Sequence, residues 1–410
     1  MMPTTMSSLP AVIGSDPVAQ TLHDWLSAHT DEMLHTLEAL VRIESPTPDP
    51  DAQDRVFALL TTLLDDLGYR TLRLEGKSSG GVLYSRPLNR TRGAPTQLLI
   101  GHADTVWSHG TLAEIPFSVE GNIVRGPGTY DMKGGIVQML FALRALKELG
   151  LEPEVTPLVL INSDEEVGSA DSTAHIVRLA RCADRALVLE PSLGPSGAIK
   201  TARKGVGQFV ITVHGKASHA GLCPEDGISA ILEMSHVIQK MHAFNDHERG
   251  ITVNVGEITG GTRPNVVPAR AGIVVDVRVL TEQQAVETEA LIRSVTATLP
   301  GAHLVIEGGW IKRPMELTGP NLRLWEQAQH AADRLGIALE HGRAGGASDG
   351  NTTSQFTATL DGLGPVGGGA HARNEFLLVD KMAERASLLA LLLLTPALQT
   401  ALAESTTANQ

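Results

Sequence analysis

Three separated stretches of the sequence place histidine or acidic side chains directly after a short apolar run. "LLIGHAD" ends in His102 and Asp104, "LVLINSDEEVG" contains Glu165 and Glu166, and the apolar run of "ALVLEPS" stops at Glu190. One neutral imidazole together with several carboxylates suits a divalent ion such as Zn²⁺, Mn²⁺ or Co²⁺. These residue types therefore indicate metal-assisted chemistry if the fold brings them together.

Taken singly, some of these residues have an ordinary structural interpretation. A lone histidine such as His102 is more often a hydrogen-bonded core residue, and "DEE" is more often a solvated loop. Glu190 differs, because a carboxylate that closes an apolar strand is costly to desolvate unless it is paired or metal-bound. Asp131, after the turn-forming "RGPGTY", and His371, in the glycine-rich "GPVGGGAHARNE", extend the set. The whole set favours a metal site over the separate interpretations.

The apolar runs before these side chains are typical of strands buried on both faces of a sheet. They alternate with helical patterns, for example residues 56–67 before Gly68 and residues 136–146 before Gly150. This alternation predicts an α/β fold with a mainly parallel sheet flanked by helices. Because sites in open α/β sheets form at the carboxyl ends of the strands, we expect the metal-type residues to converge there.

Between about residues 205 and 315 the pattern changes to β-α-β-β-α-β, the order of a ferredoxin-like α+β layer. Its second helix is expected to begin at Thr281, which forms a capping box with Gln284. A chain of 410 residues is also long enough for two domains. We therefore predict a catalytic domain formed by residues 1–204 and 316–410, with residues 205–315 inserted as a lid and dimerisation domain.

Composition limits the partners and the compartment. With 42% hydrophobic and 19% charged residues, the chain has the balance of a soluble globular enzyme. Its net charge of −13 argues against a nucleic-acid partner, and two cysteines are too few for a disulfide framework. "MMPTTMSSLPAVIGSDPVAQ" lacks the regions of a signal peptide, and "ALLLLTPAL" is too short to span a membrane. We expect a cytoplasmic protein with neither a nucleic-acid nor a membrane partner.

Seven motifs together carry a resemblance to a known family: "GHADTVW", "GPGTYDMKGG", "NSDEEVGS", "LEPS", "GKASHAG", "GGASDGN" and "GGGAHARNE". From about Leu40 to the C-terminal helix the chain resembles the di-zinc aminoacylase and carboxypeptidase family. Glutamate carboxypeptidase, acetylornithine deacetylase and succinyl-diaminopimelate desuccinylase belong to that family. The resemblance implies a zinc-exopeptidase-like catalytic domain with two Zn²⁺ ions per chain, for which Co²⁺ or Mn²⁺ can substitute. It also implies a homodimer formed through the inserted domain.

The resemblance further implies a ligand set. Asp131 would bridge the two zinc ions; His102 and Glu190 would complete one metal site, and Glu166 and His371 the other. Relatives carry a cis peptide bond directly after the bridging aspartate. We therefore expect one between Asp131 and the following methionine.

The other site residues are expected to orient groups or to move protons. Asp104 would accept the second ring N–H of His102 and so fix its tautomer. Glu165, whose side chain must point away from that of Glu166, would take a proton from an attacking water and return it to the leaving amine. The family's lid histidine matches His219, which would stabilise the oxyanion and reach across the dimer.

Two lid residues are expected to contact substrate. Asn265 lies in "GTRPNVVPA" at a position where relatives contact substrate, and Arg278 lies in "VVDVRV". A planar guanidinium is suited to clamping a substrate carboxylate, although an arginine on an exposed sheet face is often merely solvated.

The motifs also favour one reaction. "LEPS", with Glu190, and "GGASDGN" resemble glutamate carboxypeptidase and the deacylases more than the aminopeptidases. The sequence thus favours a metallocarboxypeptidase that cleaves the amide bond of N-acyl or N-aminoacyl amino acids and releases a C-terminal amino acid, preferably glutamate. Arg203 and Lys204 replace the small polar residues of folate-cleaving relatives, which argues against folate. The alternatives are an N-acyl-amino-acid deacylase and a silent metal-binding protein, although no ligand is missing.

Overall fold

The computed structural model describes residues 16–398. Residues 1–15, which form most of the N-terminal stretch that lacks signal-peptide features, lie outside the described residues. Within the described residues the α-helices are α1 (Pro17–Ala28), α2 (Thr30–Val41), α3 (Pro50–Asp66), α4 (Thr111–Glu114), α5 (Gly134–Glu148), α6 (Thr173–Ala180), α7 (Ala230–Ala243), α8 (Glu282–Arg293), α9 (Gly319–Arg334), α10 (Asp349–Thr353) and α11 (Asp380–Leu393). No helix in this part of the chain is both long and apolar enough to cross a membrane.

The strands of the same residues fall into four sheets. They are β1 (Tyr69–Leu74), β2 (Val82–Pro87), β3 (Thr96–His102), β4 (Ser118–Glu120), β5 (Ile123–Arg125), β6 (Thr156–Asn162), β7 (Arg185–Val188), β8 (Ile199–Arg203), β9 (Gly205–His214), β10 (Thr252–Gly260), β11 (Arg270–Val279), β12 (His303–Lys312), β13 (His341–Ala344), β14 (Ala358–Leu360), β15 (Gly367–Gly368) and β16 (Phe376–Leu378).

The largest sheet has six strands in the order β1-β2-β6-β3-β7-β14. The four strands from β6 to β14 are parallel, whereas β2 and β1 continue the sheet in antiparallel pairs. Side chains alternate between its two faces, as the period of a strand requires. Leu99 packs on the side of α5 and α11, whereas Ile100 packs on the side of α6. The predicted α/β fold with a mainly parallel sheet flanked by helices is confirmed.

Residues of the predicted insertion form a second unit around their own sheet. The four antiparallel strands lie in the order β10-β11-β9-β12, and α7 and α8 follow β9 and β11, which is the ferredoxin-like arrangement. The capping box of Thr281 and Gln284 begins α8 as expected. The chain enters and leaves this unit at one place, because Arg203 and Met315 exchange backbone hydrogen bonds.

Two smaller sheets complete the fold. β13 pairs with β8 in parallel, beside the entry to the inserted unit. β15, β16, β5 and β4 form an antiparallel sheet that sets Phe376 opposite Arg125. This second pairing brings the loop between β15 and β16, which contains His371, beside the segment that leads from β5 to Asp131.

Candidate metal centre

Three neighbouring strands end at the same edge of the large sheet. His102 is the last residue of β3, the turn that carries Glu165 and Glu166 follows β6, and Glu190 lies just beyond the end of β7. Because β3 lies between β6 and β7 and all three run parallel, their carboxyl ends are adjacent. The convergence expected from the sequence therefore follows from the strand order.

Asp131 reaches the same place from an irregular turn before α5. Its backbone is not helical, with φ −114° and ψ 97°, and its peptide bond to Met132 is cis, as expected from the resemblance. The buried Glu375 carboxylate accepts hydrogen bonds from the backbone N–H groups of Gly128, Tyr130 and Asp131, at 3.0, 2.8 and 3.0 Å. Glu375 thus fixes the turn that presents Asp131.

Asp131 lies between two histidines. Its Oδ1 is 3.4 Å from Nε2 of His102, and its Oδ2 is 3.3 Å from Nε2 of His371. Glu190 Oε1 lies 3.5 Å from the same nitrogen of His102, whereas Glu166 Oε2 lies 3.1 Å from that of His371. The five side chains therefore form two groups that share Asp131.

Two overlapping sets of three side chains, both including His102, have donor atoms that lie close enough together to hold one cation. The ligand atoms of His102, Glu165 and Glu190 are all within 4.8 Å of one another, and so are those of His102, Asp131 and Glu166. His102 Nε2, Asp131 Oδ1 and Glu166 Oε1 are buried without a hydrogen-bond partner. Buried polar atoms normally have partners, so three unpartnered donor atoms in one cluster fit a site that binds a cation. The residues fit a pair of divalent ions.

The pKa values of the clustered side chains show how strongly their charges interact. Burial raises the pKa of Glu165 well above its usual range, and the nearby Glu190 carboxylate raises it further. Burial opposes ionisation of Asp131 too, but the adjacent His102 and His371 imidazoles outweigh burial and lower its pKa. The adjacent Asp131 and Glu166 carboxylates raise the pKa of His371 to about 10. Carboxylates outnumber imidazoles, so cations would relieve the repulsion among them.

Asp104 supports the cluster through more contacts than expected. His102 Nδ1 is 3.0 Å from the main-chain oxygen of Asp104 and 3.4 Å from its Oδ1. Since both atoms only accept, Nδ1 carries a proton, and in a neutral ring the lone pair of Nε2 faces the cluster. The Asp104 carboxylate also accepts the backbone N–H groups of Glu165 and Glu166 and the hydroxyl of Thr47. It therefore orients the glutamate turn as well as the histidine.

The three expected site residues of the inserted unit, His219, Asn265 and Arg278, make hydrogen bonds to other residues of that unit. Nδ1 of His219 accepts the N–H groups of Gly221 and Leu222, and the side chain is exposed. Asn265 lies beside it, because its main-chain oxygen accepts the N–H of Ala220. The Arg278 guanidinium makes two hydrogen bonds to Asp276 on the same strand, at 2.8 and 2.9 Å. Within residues 16–398, no hydrogen bond or ion pair joins His219, Asn265 or Arg278 to the clustered ligands.

Two residues at the centre have functions that sequence analysis missed. Glu375 was visible only as the end of the motif "GGGAHARNE", four residues after His371. In the sequence, Arg203 is notable only because folate-cleaving relatives have a small polar residue there. Its buried guanidinium pairs with Asp361 at 2.7 Å and with Glu190 Oε2 at 3.3 Å, so it contacts the oxygen of Glu190 that faces away from His102.

Comparisons with known proteins agree with the class that this fold and cluster define, a metal-binding hydrolase. The family model described as "Peptidase family M20/M25/M40" matches residues 98–395. The chain belongs to this family, whose members hydrolyse peptide or amide bonds.

Two curated relatives illustrate the range of the family. Carboxypeptidase G2 from Pseudomonas sp. (strain RS-16) is 36% identical over 256 residues, a match that covers 61% of this chain and 61% of that protein. The match therefore spans less than two thirds of that relative's length. Succinyl-diaminopimelate desuccinylase from Alkalilimnicola ehrlichii is 27% identical over 363 residues, covering 84% of this chain and 93% of that protein.

Solved structures share the fold. Aminopeptidase PepT from Bacillus cereus matches with a TM-score of 0.75 and 24% identity, covering 89% of this chain and 98% of that chain. The M20 family metallo-carboxypeptidase Sso-CP2 from Sulfolobus solfataricus matches with a TM-score of 0.69 and 17% identity, covering 88% and 98%. Over most of its length the chain thus shares the fold of these proteins.

Proposed function

We propose that this protein is a zinc-dependent metallocarboxypeptidase that cleaves the amide bond of N-acyl or N-aminoacyl amino acids. It releases a C-terminal amino acid, with glutamate favoured. One observation carries the proposal: the two carboxylate oxygens of Asp131 are divided between His102 and His371. A carboxylate shared in this way suits a co-catalytic pair of ions, since each ion then has an imidazole and a further carboxylate beside it.

In this proposal Asp131 would be shared by two Zn²⁺ ions, for which Co²⁺ or Mn²⁺ can substitute. His102 and Glu190 would hold one ion, and Glu166 and His371 would hold the other. When bound, the ions supply Lewis-acid polarisation of the scissile carbonyl and make a water molecule more acidic. The histidine tautomer fixed by Asp104 supports the assignment of His102 Nε2 as a ligand.

Glu165 is the proposed general base and acid. Its carboxylate lies within 4.8 Å of donor atoms of His102 and Glu190, beside the cluster, and its backbone is held by Asp104. From there it takes a proton from the attacking water and delivers it to the nitrogen of the leaving amino acid. A silent metal-binding protein would have no need of this additional carboxylate.

The inserted unit, residues 205–315, is proposed to act as a lid and to form a homodimer. Nδ1 of His219 accepts two backbone N–H groups, so a neutral ring carries its proton on Nε2. That N–H suits stabilisation of an oxyanion. Asn265 beside it would bind substrate, and Arg278 would clamp the substrate carboxylate by exchanging its pairing with Asp276. The proposed location is the cytoplasm.

Relatives support two neighbouring substrate classes. Carboxypeptidase G2 is the more identical of the two curated relatives described above, at 36%, and this favours release of a C-terminal amino acid. The desuccinylase match, at 27% over more of the chain, keeps an N-acyl-amino-acid deacylase as the second candidate. Both reactions hydrolyse an amide with the same metal and glutamate machinery, so only the substrate separates them.

A substrate panel tests the proposal. Zinc-loaded protein is assayed against N-acyl and N-aminoacyl amino acids in which the C-terminal residue is varied at constant acyl group, and then the acyl group at constant C-terminal glutamate. We expect the highest kcat/KM for C-terminal glutamate. Higher kcat/KM for N-succinyl or N-acetyl diamino acids would favour the deacylase, and no hydrolysis at all would leave only metal binding.

A further inference from the structure

A buried ion pair crosses from the inserted unit to the catalytic sheet. Lys312 is the last residue of β12, and its side chain is only 5% exposed. Its Nζ lies 2.6 Å from Asp349 Oδ1, 2.9 Å from Ser169 Oγ and 3.2 Å from Thr352 Oγ1. All three partners lie outside residues 205–315, so the lysine joins the lid strand to the rest of the molecule.

Asp349 is the centre of this contact. It belongs to the motif "GGASDGN", to which the proposed reaction gives no task. Its Oδ1 also accepts a hydrogen bond from Ser169 Oγ at 2.5 Å, and its Oδ2 accepts one from Asn162 Nδ2 at 2.6 Å. Asn162 is the last residue of β6, directly before the turn that carries the two glutamates. Asp349 therefore connects the start of that turn with its end.

Ser169 closes the glutamate turn. Its N–H donates to the main-chain oxygen of Asp164 at 2.7 Å, and Gly168 N–H donates to that of Glu165 at 2.8 Å. Ser169 is one of only two non-glycine residues with positive φ in the described chain, at 61°. A non-glycine residue keeps this backbone conformation only where its surroundings fix it. Lys312 and Asp349 supply that fixation through the serine hydroxyl.

The segment that follows Asp349 also contacts both chain connections to the inserted unit. Asn351 Nδ2 donates to the main-chain oxygens of Lys204 and Arg313, at 3.0 and 2.7 Å. Gln355 Nε2 donates to that of Pro314 at 2.8 Å. Residues 349–355 therefore contact the entry and the exit of the inserted unit, and the one charged contact among them is the pair of Lys312 with Asp349.

From these contacts we propose that Lys312 is a positioning residue that couples the orientation of the lid to the turn carrying Glu165 and Glu166. The lysine acts through Asp349 and Ser169 and does not touch substrate. Because the ion pair is buried, a lid displaced from this position would leave two uncompensated charges. The placement of Glu165 is therefore complete only with the lid in place. The catalytic part of this inference rests on the proposed function.

The test compares substitutions on two adjacent residues. Lys312→Met removes the buried cation, and Lys312→Met combined with Asp349→Asn removes both charges, so that folding is not limited by an unpaired aspartate. Arg313→Met is the matched control, because Arg313 pairs with Glu282 at the partly exposed start of α8, within the same inserted unit. Circular dichroism and elemental analysis establish that each variant is folded and metal-loaded.

Kinetics and distances are then measured on the same proteins. We expect both Lys312 variants to lose about 10- to 100-fold in kcat with KM nearly unchanged, since displacing a catalytic group by about 1 Å costs on the order of 10²-fold. Nitroxide labels on Cys182 and Cys223, the two cysteines of the sequence, report the distance between core and lid. Labelled protein is diluted with unlabelled protein so that only distances within one chain are seen.

The two readouts separate this inference from the proposed reaction. We expect a narrow distance distribution in the wild type and in Arg313→Met, and a broad one in both Lys312 variants. If no panel substrate is hydrolysed, the proposed function fails, but the distances still test the coupling. A double variant with wild-type kcat, or Lys312 variants with the narrow distribution of Arg313→Met, would overturn the inference.

Discussion

The metal cluster and the inserted unit contain proposed site residues of the same chemical types in opposite structural situations. In the cluster, His102 is 1% exposed, and the carboxylates beside its Nε2 come from a separate turn, Asp131, and from the neighbouring strand end, Glu190. In the lid, His219 is exposed, and its ring accepts hydrogen bonds from the backbone two and three residues further along the chain. One histidine is positioned by the whole fold, and the other by its own loop.

This contrast divides the proposed machinery into a fixed half and a movable half. Buried carboxylates at the sheet edge are held at set distances because the packed strands that carry them cannot shift independently. In the proposed reaction, exposed side chains such as His219 and Asn265 would reach the reacting atoms only when the lid, or the lid of a second chain, approaches. The following predictions test each half, from the largest expected effect to the smallest.

Removing the metal ions from the fixed half should abolish hydrolysis entirely. Elemental analysis of the purified protein is expected to find about two divalent ions per chain, held by the two groups that share Asp131. Dialysis against a chelator should eliminate hydrolysis, and added Zn²⁺ should restore it. Undiminished activity in chelator, with only trace metal bound, would contradict the assignment of the cluster.

Replacing the proposed proton carrier should act on turnover alone. Glu165→Gln keeps the size of the side chain but removes its basicity, so kcat should fall by about 10²- to 10⁴-fold, the contribution of a positioned acid or base. Metal content and KM should stay close to those of the wild type. Glu165 and Glu225 both lie in short 3₁₀ turns, Glu165–Val167 and Pro224–Asp226. Glu225→Gln, in the exposed turn of the lid, is therefore the matched control. Near-wild-type turnover of Glu165→Gln would assign Glu165 a structural role.

The movable half is tested by subunit mixing. His219→Ala should lower kcat by about 10²- to 10³-fold, the cost of losing one oxyanion donor, with little change in substrate binding. If His219 acts in the neighbouring chain, mixing His219→Ala with Glu165→Gln chains should restore activity, because one site of the mixed dimer then has both groups. Subunit-exchanged mixtures as inactive as their parents would show that the histidine does not act across the dimer.

The contrast between residues placed by local sequence and residues placed by the whole fold also explains which site residues could be predicted from the sequence. Strand ends such as His102 and Glu190 are recognisable because an apolar run that stops at a ligand type is a local pattern. Helix starts are less distinct in the sequence: α7 begins at Ala230 because the Ser229 side chain caps it, although Asp226 lies just upstream. Which of several polar residues caps the first turn is decided by the local backbone.

Long-range partners could not be predicted in this way. Lys312 meets Asp349 only because the exit from the lid passes the first turn of α10. Arg203 meets Glu190 only because β8 is bridged to Asp361, which follows β14, the strand next to β7. Neither residue is distinguished by its neighbours in the sequence. Their charges become informative only after burial is known, since a buried charge requires a partner.

The smallest predicted effect concerns Glu375, which supports the fixed half without binding metal. Its carboxylate accepts three backbone N–H groups of the Asp131 turn and the indole N–H of Trp107. Glu375→Gln replaces one of the accepting oxygens with an NH₂ group, which must face N–H donors. The turn should therefore loosen and Asp131 should lose its fixed direction.

We expect Glu375→Gln to weaken metal affinity by about 10- to 100-fold, the usual effect of removing a group that orients a ligand. Competition with a chelator of known affinity measures the change. Glu44→Gln is the matched control, because Glu44 accepts the N–H groups of Gly110 and Leu112, which present no ligand. Equal metal affinities in both variants would mean that Asp131 is held by the packing of its turn alone. A loss confined to Glu375→Gln would show that the bridging aspartate depends on a carboxylate more than 240 residues away in the sequence.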